Sequence, residues 1–125
     1  MDKLIPSKES LTVEFKSDKK KLSDEALSDS IVAFANTAGG DLYLGVENNG
    51  DISGRHESHK DVTQLSAFIA NKTIPPVSVR VEQIEAELPV IKISVPKSRS
   101  IVASSSGKIQ RICTKYNSTN NVLKF

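Results

Sequence analysis

The sequence predicts an α+β domain in which two helices pack on a mixed β-sheet. Several short segments alternate apolar and polar residues, as strands do, and two longer segments repeat apolar residues every three or four positions, as helices do. These segments follow the order strand, helix, hairpin, helix, strands. With 125 residues and 38% hydrophobic residues, the chain can build one core but is too short for two. We therefore expect a single domain over residues 1–125.

The first strand and the first helix have clear signals. Residues 11–15 alternate apolar and polar side chains, which places Glu14 and Lys16 on the face opposite Phe15. Ser23 is a good N-cap for a helix that follows a lysine-rich loop. Gly39-Gly40 supplies the helix stop. The helix's apolar positions recur at helical spacing: Leu27, Ile31, Phe34, Ala35 and Ala38.

The remaining elements follow from similar patterns. Residues 42–46 alternate as a second strand, and Asn49-Gly50 favours a tight hairpin that returns through Ile52. A second helix from Val62 ends before the prolines at 75 and 76. Two strands, over 77–84 and 91–95, precede a Ser-rich basic loop at 96–107 and a last strand at 109–113. The chain then stops without a terminating signal, which predicts the N-terminal part of a longer protein.

The sequence predicts a cytoplasmic protein that does not enter a membrane. No apolar run approaches the roughly 20 residues needed to span a bilayer, and the N-terminus lacks the apolar core of a signal peptide. Cys113 is the only cysteine, so no internal disulfide can form, in agreement with a reducing compartment. A buried position in the last strand explains this cysteine better than catalysis does.

Charge is divided unevenly along the chain. The net charge is +2, but residues 1–87 hold ten basic and fifteen acidic side chains, a balance of −5, whereas residues 88–125 hold seven basic side chains and no acid, a balance of +7. Such a basic segment is typical of a protein that contacts a polyanion. An ordinary basic edge strand that discourages aggregation is the alternative.

Three ordered blocks resemble the Schlafen AlbA-type family: residues 9–16 (ESLTVEFK), 33–40 (AFANTAGG) and 44–50 (LGVENNG). The resemblance extends over nearly the whole chain. It implies a domain found in bacterial regulators, where it is described as DNA-binding or as a divergent ATPase, and in animal Schlafen proteins, some of which cleave RNA.

The resemblance also implies a metal site. Schlafen nucleases assemble one from two glutamates of the first block and an acid after the Gly-Gly strand, which corresponds to Glu9, Glu14 and Glu47. These carboxylates would hold Mg²⁺ or Mn²⁺, hard cations that prefer oxygen ligands. Asn48 stands where the family often has a second acid, so the site either loses a charge or depends on Glu47.

Three other motifs have ordinary structural interpretations. Gly40 and Gly45 have P-loop spacing, but the lysine and the hydroxyl residue that must follow are missing. His56 and His59 lie in a polar run, which predicts a solvated connection. Asn36-Thr37 is expected to order the helix end through side-chain hydrogen bonds, and Tyr43 is expected to face a second packed layer.

The main hypothesis is therefore a DNA-binding domain of a transcriptional regulator. Nucleic acid, DNA or RNA, is the expected partner, and a homo-oligomer is allowed. Aromatic residues are only 5% of the chain, so phosphate contacts should dominate over base stacking. A metal-dependent nuclease and a protein-interaction domain are the alternatives. The residues predicted to bind phosphates are Lys16, Lys92, Lys97, Arg99, Lys108 and Arg111.

Overall fold

The computed structural model describes residues 4–105, and the backbone of residues 108–110 and 122–124. These residues contain two α-helices, α1 (Asp24–Ala35) and α2 (Val62–Asn71), and a 3₁₀ turn at Glu57–His59. The strands are β1 (Val13–Lys16), β2 (Gly40–Leu44), β3 (Thr73–Ile74), β4 (Arg80–Glu85), β5 (Pro89–Val95), β6 (Ala103–Ser104), β7 (Lys108–Gln110) and β8 (Val122–Lys124). Neither helix is long and apolar enough to cross a membrane.

The main sheet has four strands in the order β1-β2-β5-β4. β1 runs parallel to β2, whereas β5 is antiparallel to both β2 and β4. The sheet is therefore mixed, as predicted. β3 pairs with β6 and β7 pairs with β8 in two small antiparallel ribbons.

Each face of the main sheet buries its own apolar cluster. Leu42, Leu44 and Ile93 are fully buried against both helices, which contribute Ile31 and Ile69 to the larger core. The opposite face carries a smaller cluster, formed by Phe15, Tyr43, Val46, Ile84 and Val90 with Ile5 and Ile52 at its margin. The strict alternation along β2 explains this division, because successive side chains of a strand point to opposite faces.

The first helix begins where the sequence predicts. The Ser23 hydroxyl accepts a 3.1 Å hydrogen bond from the N–H of Ala26, which satisfies one of the free donors of the first turn. The helix ends at Ala35, a few residues before the predicted glycine stop. Gly39 has φ +75°, and its N–H donates to the carbonyl of Phe34 at 2.8 Å. The glycine therefore turns the chain into β2, one turn beyond the helix.

The prediction of a hairpin at Asn49-Gly50 is partly wrong. The turn forms, since the N–H of Gly50 donates to the carbonyl of Glu47 at 2.8 Å. Only one bridge, between Val46 and Ile52, follows it, so no returning strand pairs with β2. The reason is that β5, more than forty residues later, occupies the edge of β2 that a returning strand would need.

The pairing of the strands gives the sheet two chemically different ends. One end of the sheet contains the start of β2, the start of β4 and the end of β5. α1 ends there as well, and residues 96–105 follow β5 at this end. At the other end β1, β2 and β4 finish and β5 begins.

Candidate nucleic-acid interface

Two glutamates of the predicted metal site have partners within the first strand. Oε2 of Glu9 accepts a 2.8 Å hydrogen bond from the N–H of Phe15. β1 is an edge strand, so this carboxylate occupies a donor that a neighbouring strand would otherwise use. Glu14 lies 3.1 Å from the ammonium of Lys16, and both side chains are about one-third exposed, at 32% and 35%.

The third glutamate is held by hydroxyl groups. Oε2 of Glu47 accepts a short hydrogen bond from Ser53, and this bond, followed by one from Ser17, lowers the pKa of Glu47. Within residues 4–105, no group of three or more His, Cys, Asp or Glu side chains is placed to hold a metal ion. The metal-binding and catalytic roles of Glu9, Glu14 and Glu47 stay predictions.

The two glycines with P-loop spacing lie at the two ends of a strand. Gly40 begins β2 and Gly45 follows it, whereas a P-loop lies between a strand and a helix so that its N–H groups surround a phosphate. Gly45 has φ +104°, and a Cβ at this position would lie 2.5 Å from the carbonyl carbon of Gly54. Close packing of two backbone segments therefore accounts for Gly45.

Two of the predicted phosphate-binding lysines lie on opposite faces of the sheet. Lys16 ends β1 on the helix-covered face, where it pairs with Glu14. Lys92 is half-buried on the other face, where its cross-strand neighbours are Tyr43 and Glu82. One nucleic-acid surface cannot include both lysines.

Tyr43 belongs to the second packed layer, as predicted. Its side chain is 2% exposed, and its ring meets that of Phe15 edge-on at a centroid distance of 6.0 Å. Burial, then the charges of Asp41 and Glu82, raise the pKa of Tyr43 to about 12. This ring is therefore not available to stack on a base.

Hydrogen bonds hold the basic loop after β5, residues 96–102, against the end of α1. The side-chain amide of Asn36 donates to the carbonyl of Val102 at 2.8 Å and accepts from its N–H at 2.7 Å. The N–H of Ser98 donates to the carbonyl of Ala35 at 2.8 Å, and the Thr37 hydroxyl donates to the carbonyl of Ala33 at 2.8 Å. The ordering role predicted for Asn36-Thr37 is confirmed.

The two cations of this loop are exposed and lack carboxylate partners. Within residues 4–105, neither Lys97 nor Arg99 lies within 4.0 Å of an acidic oxygen. Four basic side chains of the earlier part of the chain do have such partners: Lys16, Lys21, Arg55 and Lys60. Within residues 4–105, Lys8, Lys19, Lys20 and Lys92 also lie outside these ion pairs, so the position of Lys97 and Arg99 at one end of the sheet is what distinguishes them.

Two further cations at this end were missed by sequence reasoning. Arg80 is exposed at the start of β4, opposite Ser94. The ammonium of Lys72 lies 5.5 Å from the centre of the Phe68 ring. The backbone carbonyl of Lys72 accepts a 2.9 Å hydrogen bond from the N–H of Ser105. Only strand pairing reveals their position. We call the following set the basic end: Lys72, Arg80, Lys97 and Arg99.

The last predicted cations are only partly within the described residues. The backbone of Lys108 lies in β7, beside β6. Its side chain, Arg111 and Cys113 lie outside the described residues. The phosphate-binding roles of Lys108 and Arg111 stay predictions.

A buried acid–histidine pair is the second feature that the sequence did not indicate. Asp18 is 0% and His59 4% exposed, and Oδ2 of Asp18 lies 2.7 Å from Nδ1 of His59. The same carboxylate accepts 2.7 Å hydrogen bonds from the N–H groups of Leu22 and His56. The prediction of a solvated connection is therefore wrong for His59. No local pattern could reveal a partner 41 positions away.

Fold and site together define a small α+β domain with two helices on one face of a mixed sheet and four cations at one end of that sheet. The chain belongs to the Schlafen AlbA_2 family, whose model matches residues 9–124. The resemblance seen in the sequence is confirmed. None of the curated proteins matches the chain significantly.

Several solved structures share this fold, among them the two that follow. The crystal structure of the DIP2311 protein from Corynebacterium diphtheriae matches with a TM-score of 0.69 and 22% identity over 82% of this chain, which spans only 23% of that protein. The solution structure of the N-terminal domain of a protein from Nitrosomonas europaea, named as ATP-dependent DNA helicase RecG-related, matches with a TM-score of 0.58 and 19% identity. That match covers 87% of this chain and 83% of the other.

Proposed function

We propose that this chain is a nucleic-acid-binding domain of a regulatory protein and that its basic end contacts phosphates. The observation that carries this proposal is that Lys97 and Arg99, which have no carboxylate partner within residues 4–105, lie at the same end of the sheet as Lys72 and Arg80. Cations already paired with carboxylates must break those pairs to bind phosphate, whereas these two need only release water and counterions.

The architecture of the loop favours the same function. Asn36 and the backbone of α1 hold residues 98–102 in place, so little conformational entropy is lost when the two cations meet a ligand. Lys72 and Arg80 add positive charge at the same end. Membership of the Schlafen AlbA_2 family and the likeness to a domain of a helicase-related protein support the proposal.

Phosphate contact, rather than base readout, is the expected mode of binding. The four members of the basic end are lysine and arginine side chains, which contact phosphates as cations. Each phosphate contact releases condensed counterions, so affinity falls steeply with salt. We place this binding in the cytoplasm and assign it to DNA or structured RNA without strong sequence preference.

Fluorescence anisotropy at several salt concentrations tests the proposal, with duplex DNA and a structured RNA as probes. The double variant Lys97→Glu/Arg99→Glu should bind roughly ten- to a hundredfold more weakly than the wild type, and the slope of log affinity against log salt should fall by about two.

A matched control separates this surface from net charge. Lys20→Glu/Lys60→Glu changes the charge equally, at exposed residues outside the basic end, and should weaken binding much less. Equal losses in both double variants would contradict a defined surface. No detectable binding by the wild type at low salt would reject the proposal and favour an acidic protein partner for the same cations.

A further inference from the structure

An apolar groove with an acidic rim lies at the end of the sheet opposite the basic end. Its volume is about 570 Å³, within the range of pockets that take a ligand or a peptide segment. Leu4, Ile5, Ile52 and Ile84 supply apolar walls. Three carboxylates also line the groove, and among residues 4–105 no Lys, Arg or His does: Asp51, Glu85 and Glu87.

These carboxylates are as poorly compensated as the cations of the basic end. Within residues 4–105, none of the three lies within 4.0 Å of a basic nitrogen. The groove therefore combines apolar surface with uncompensated negative charge. A complementary partner must present cations beside exposed apolar side chains.

The basic end has that composition. Ile101 is 46% exposed and lies two residues beyond Arg99. Ile74 is 59% exposed and pairs with Ala103, which follows Ile101 in the same segment. We call the end of the sheet that holds the groove, with Asp51, Glu85 and Glu87, the acidic end. Two other large apolar side chains are exposed there, Leu4 at 64% and Leu88 at 46%. Exposed apolar residues thus accompany both charged surfaces.

The two surfaces of one molecule cannot meet each other. β5 has seven residues, so at 3.3 Å per residue its ends are about 20 Å apart. This separation exceeds the screening length of about 8 Å at physiological salt. Both the groove and the loop are also fastened to opposite ends of the same rigid sheet. Contact between them requires a second molecule.

We propose that copies of this chain associate head to tail, with the basic end of one copy in the acidic groove of the next. Lys97 and Arg99 then face Glu85 and Glu87, and Ile101 enters the apolar part of the groove. Such an interface is heterologous, so it forms chains or closed rings rather than two-fold dimers. Nucleic acid competes for the same cations, so its binding dissociates the assembly.

Sedimentation velocity over a range of protein concentrations tests this association, on protein freed of nucleic acid and checked by its ultraviolet absorbance ratio. The average mass should rise with concentration at low salt, and association should weaken at least roughly tenfold at high salt because charge complementarity contributes to it. A wild type that stays monomeric at low salt and high concentration overturns the proposal.

Charge exchange identifies the surfaces. Lys97→Glu/Arg99→Glu and Glu85→Lys/Glu87→Lys should each be monomeric, because each variant presents like charges on both surfaces. An equimolar mixture should associate again, since each variant's altered surface then complements the other's. A mixture that remains monomeric, or a single variant that associates as the wild type does, contradicts this arrangement. All four positions are exposed, and circular dichroism checks that both variants fold.

The same variants separate this inference from the proposed function. Glu85→Lys/Glu87→Lys should lose self-association but retain nucleic-acid binding, because its basic end is unchanged. Lys97→Glu/Arg99→Glu should lose both. Nucleic-acid binding without self-association in the wild type would reject the assembly alone, and self-association without nucleic-acid binding would reject the proposed function alone.

Discussion

Different types of side chain hold the loops in place at the two ends of the sheet. At the acidic end a buried carboxylate, Asp18, accepts hydrogen bonds from three donors, one of which is His59. At the basic end a neutral amide, Asn36, exchanges two hydrogen bonds with Val102. A carboxylate is a stronger acceptor than an amide, but it brings a negative charge.

This difference explains how the basic end keeps its charge. A carboxylate that fastened the loop of residues 96–102 would also attract Lys97 and Arg99 or reduce their potential. The amide of Asn36 orders the same loop without adding charge, and it does not titrate. The acidic end has no cations that must stay unpaired. There the anchor is the carboxylate of Asp18, which is the stronger acceptor and is sensitive to pH.

Removal of the charged anchor should have the largest effect. Asp18→Ala leaves the buried His59 and two partly buried backbone donors without an acceptor, and we expect a loss of about 3–5 kcal/mol in the free energy of unfolding. Urea denaturation followed by circular dichroism measures this change. Asp24→Ala, at a carboxylate that is 55% exposed, should cost less than about 1 kcal/mol. Similar losses in the two variants would show that Asp18 is not a structural anchor.

Acid should weaken the same anchor. Burial by itself raises the pKa of Asp18, but the hydrogen bonds from His59, Leu22 and His56 and the charge of His59 together lower it below its ordinary value. The stabilisation is therefore complete above the unfolded-state pKa of about 3.9 and is lost as the pH falls through the folded-state pKa. Denaturation midpoints measured down to pH 2, on the order of the lowest carboxyl pKa values, should show this decline.

The variant Asp18→Asn isolates that contribution. Its stability should be lower than that of the wild type at neutral pH, and the difference should shrink as the pH falls. Other carboxylates with a lowered pKa, such as Glu47, remain in both proteins and cancel in the comparison. A difference that is constant with pH would mean that Asp18 is not ionised in the folded state.

Loss of the neutral anchor should have a smaller effect on stability and a specific effect on binding. Asn36→Ala removes both partly buried hydrogen bonds to Val102, for which we expect a loss of about 1–3 kcal/mol. Nucleic-acid affinity should also fall, because the loop with Lys97 and Arg99 is no longer held. Urea denaturation and anisotropy measure the two effects. Asn49→Ala, which removes only exposed bonds to Asp51, should leave affinity unchanged.

Substitution of an exposed, paired lysine should have the smallest effect. Lys21 lies 3.5 Å from Asp24, and the two side chains are 45% and 55% exposed. Solvent screens such a pair, so Lys21→Ala should change the free energy of unfolding by no more than about 0.5 kcal/mol. A loss as large as that of Asn36→Ala would mean that exposed ion pairs such as Lys21–Asp24 also stabilise the fold.

The sequence by itself determined the fold class and the division of charge. Period-two alternation over residues 42–46, the Ser23 cap and the glycines at 39 and 40 are local signals. They predicted β2 and the start of α1, although β2 lies at Gly40–Leu44 and α1 ends at Ala35. The acid-free segment after Glu87 is visible in composition alone. The predictions of single elements succeeded because each depends on residues that are close together in the sequence.

Tertiary structure decided which of those charges are available. The sequence grouped Lys16 and Lys92 with Lys97 and Arg99, but strand pairing puts the first two on opposite faces and leaves only the last two at a common end. The pairs Asp18–His59 and Asn36–Val102 join residues 41 and 66 positions apart. A hydrogen bond or an ion pair depends on distance in space, and the fold sets that distance for residues so far apart along the chain.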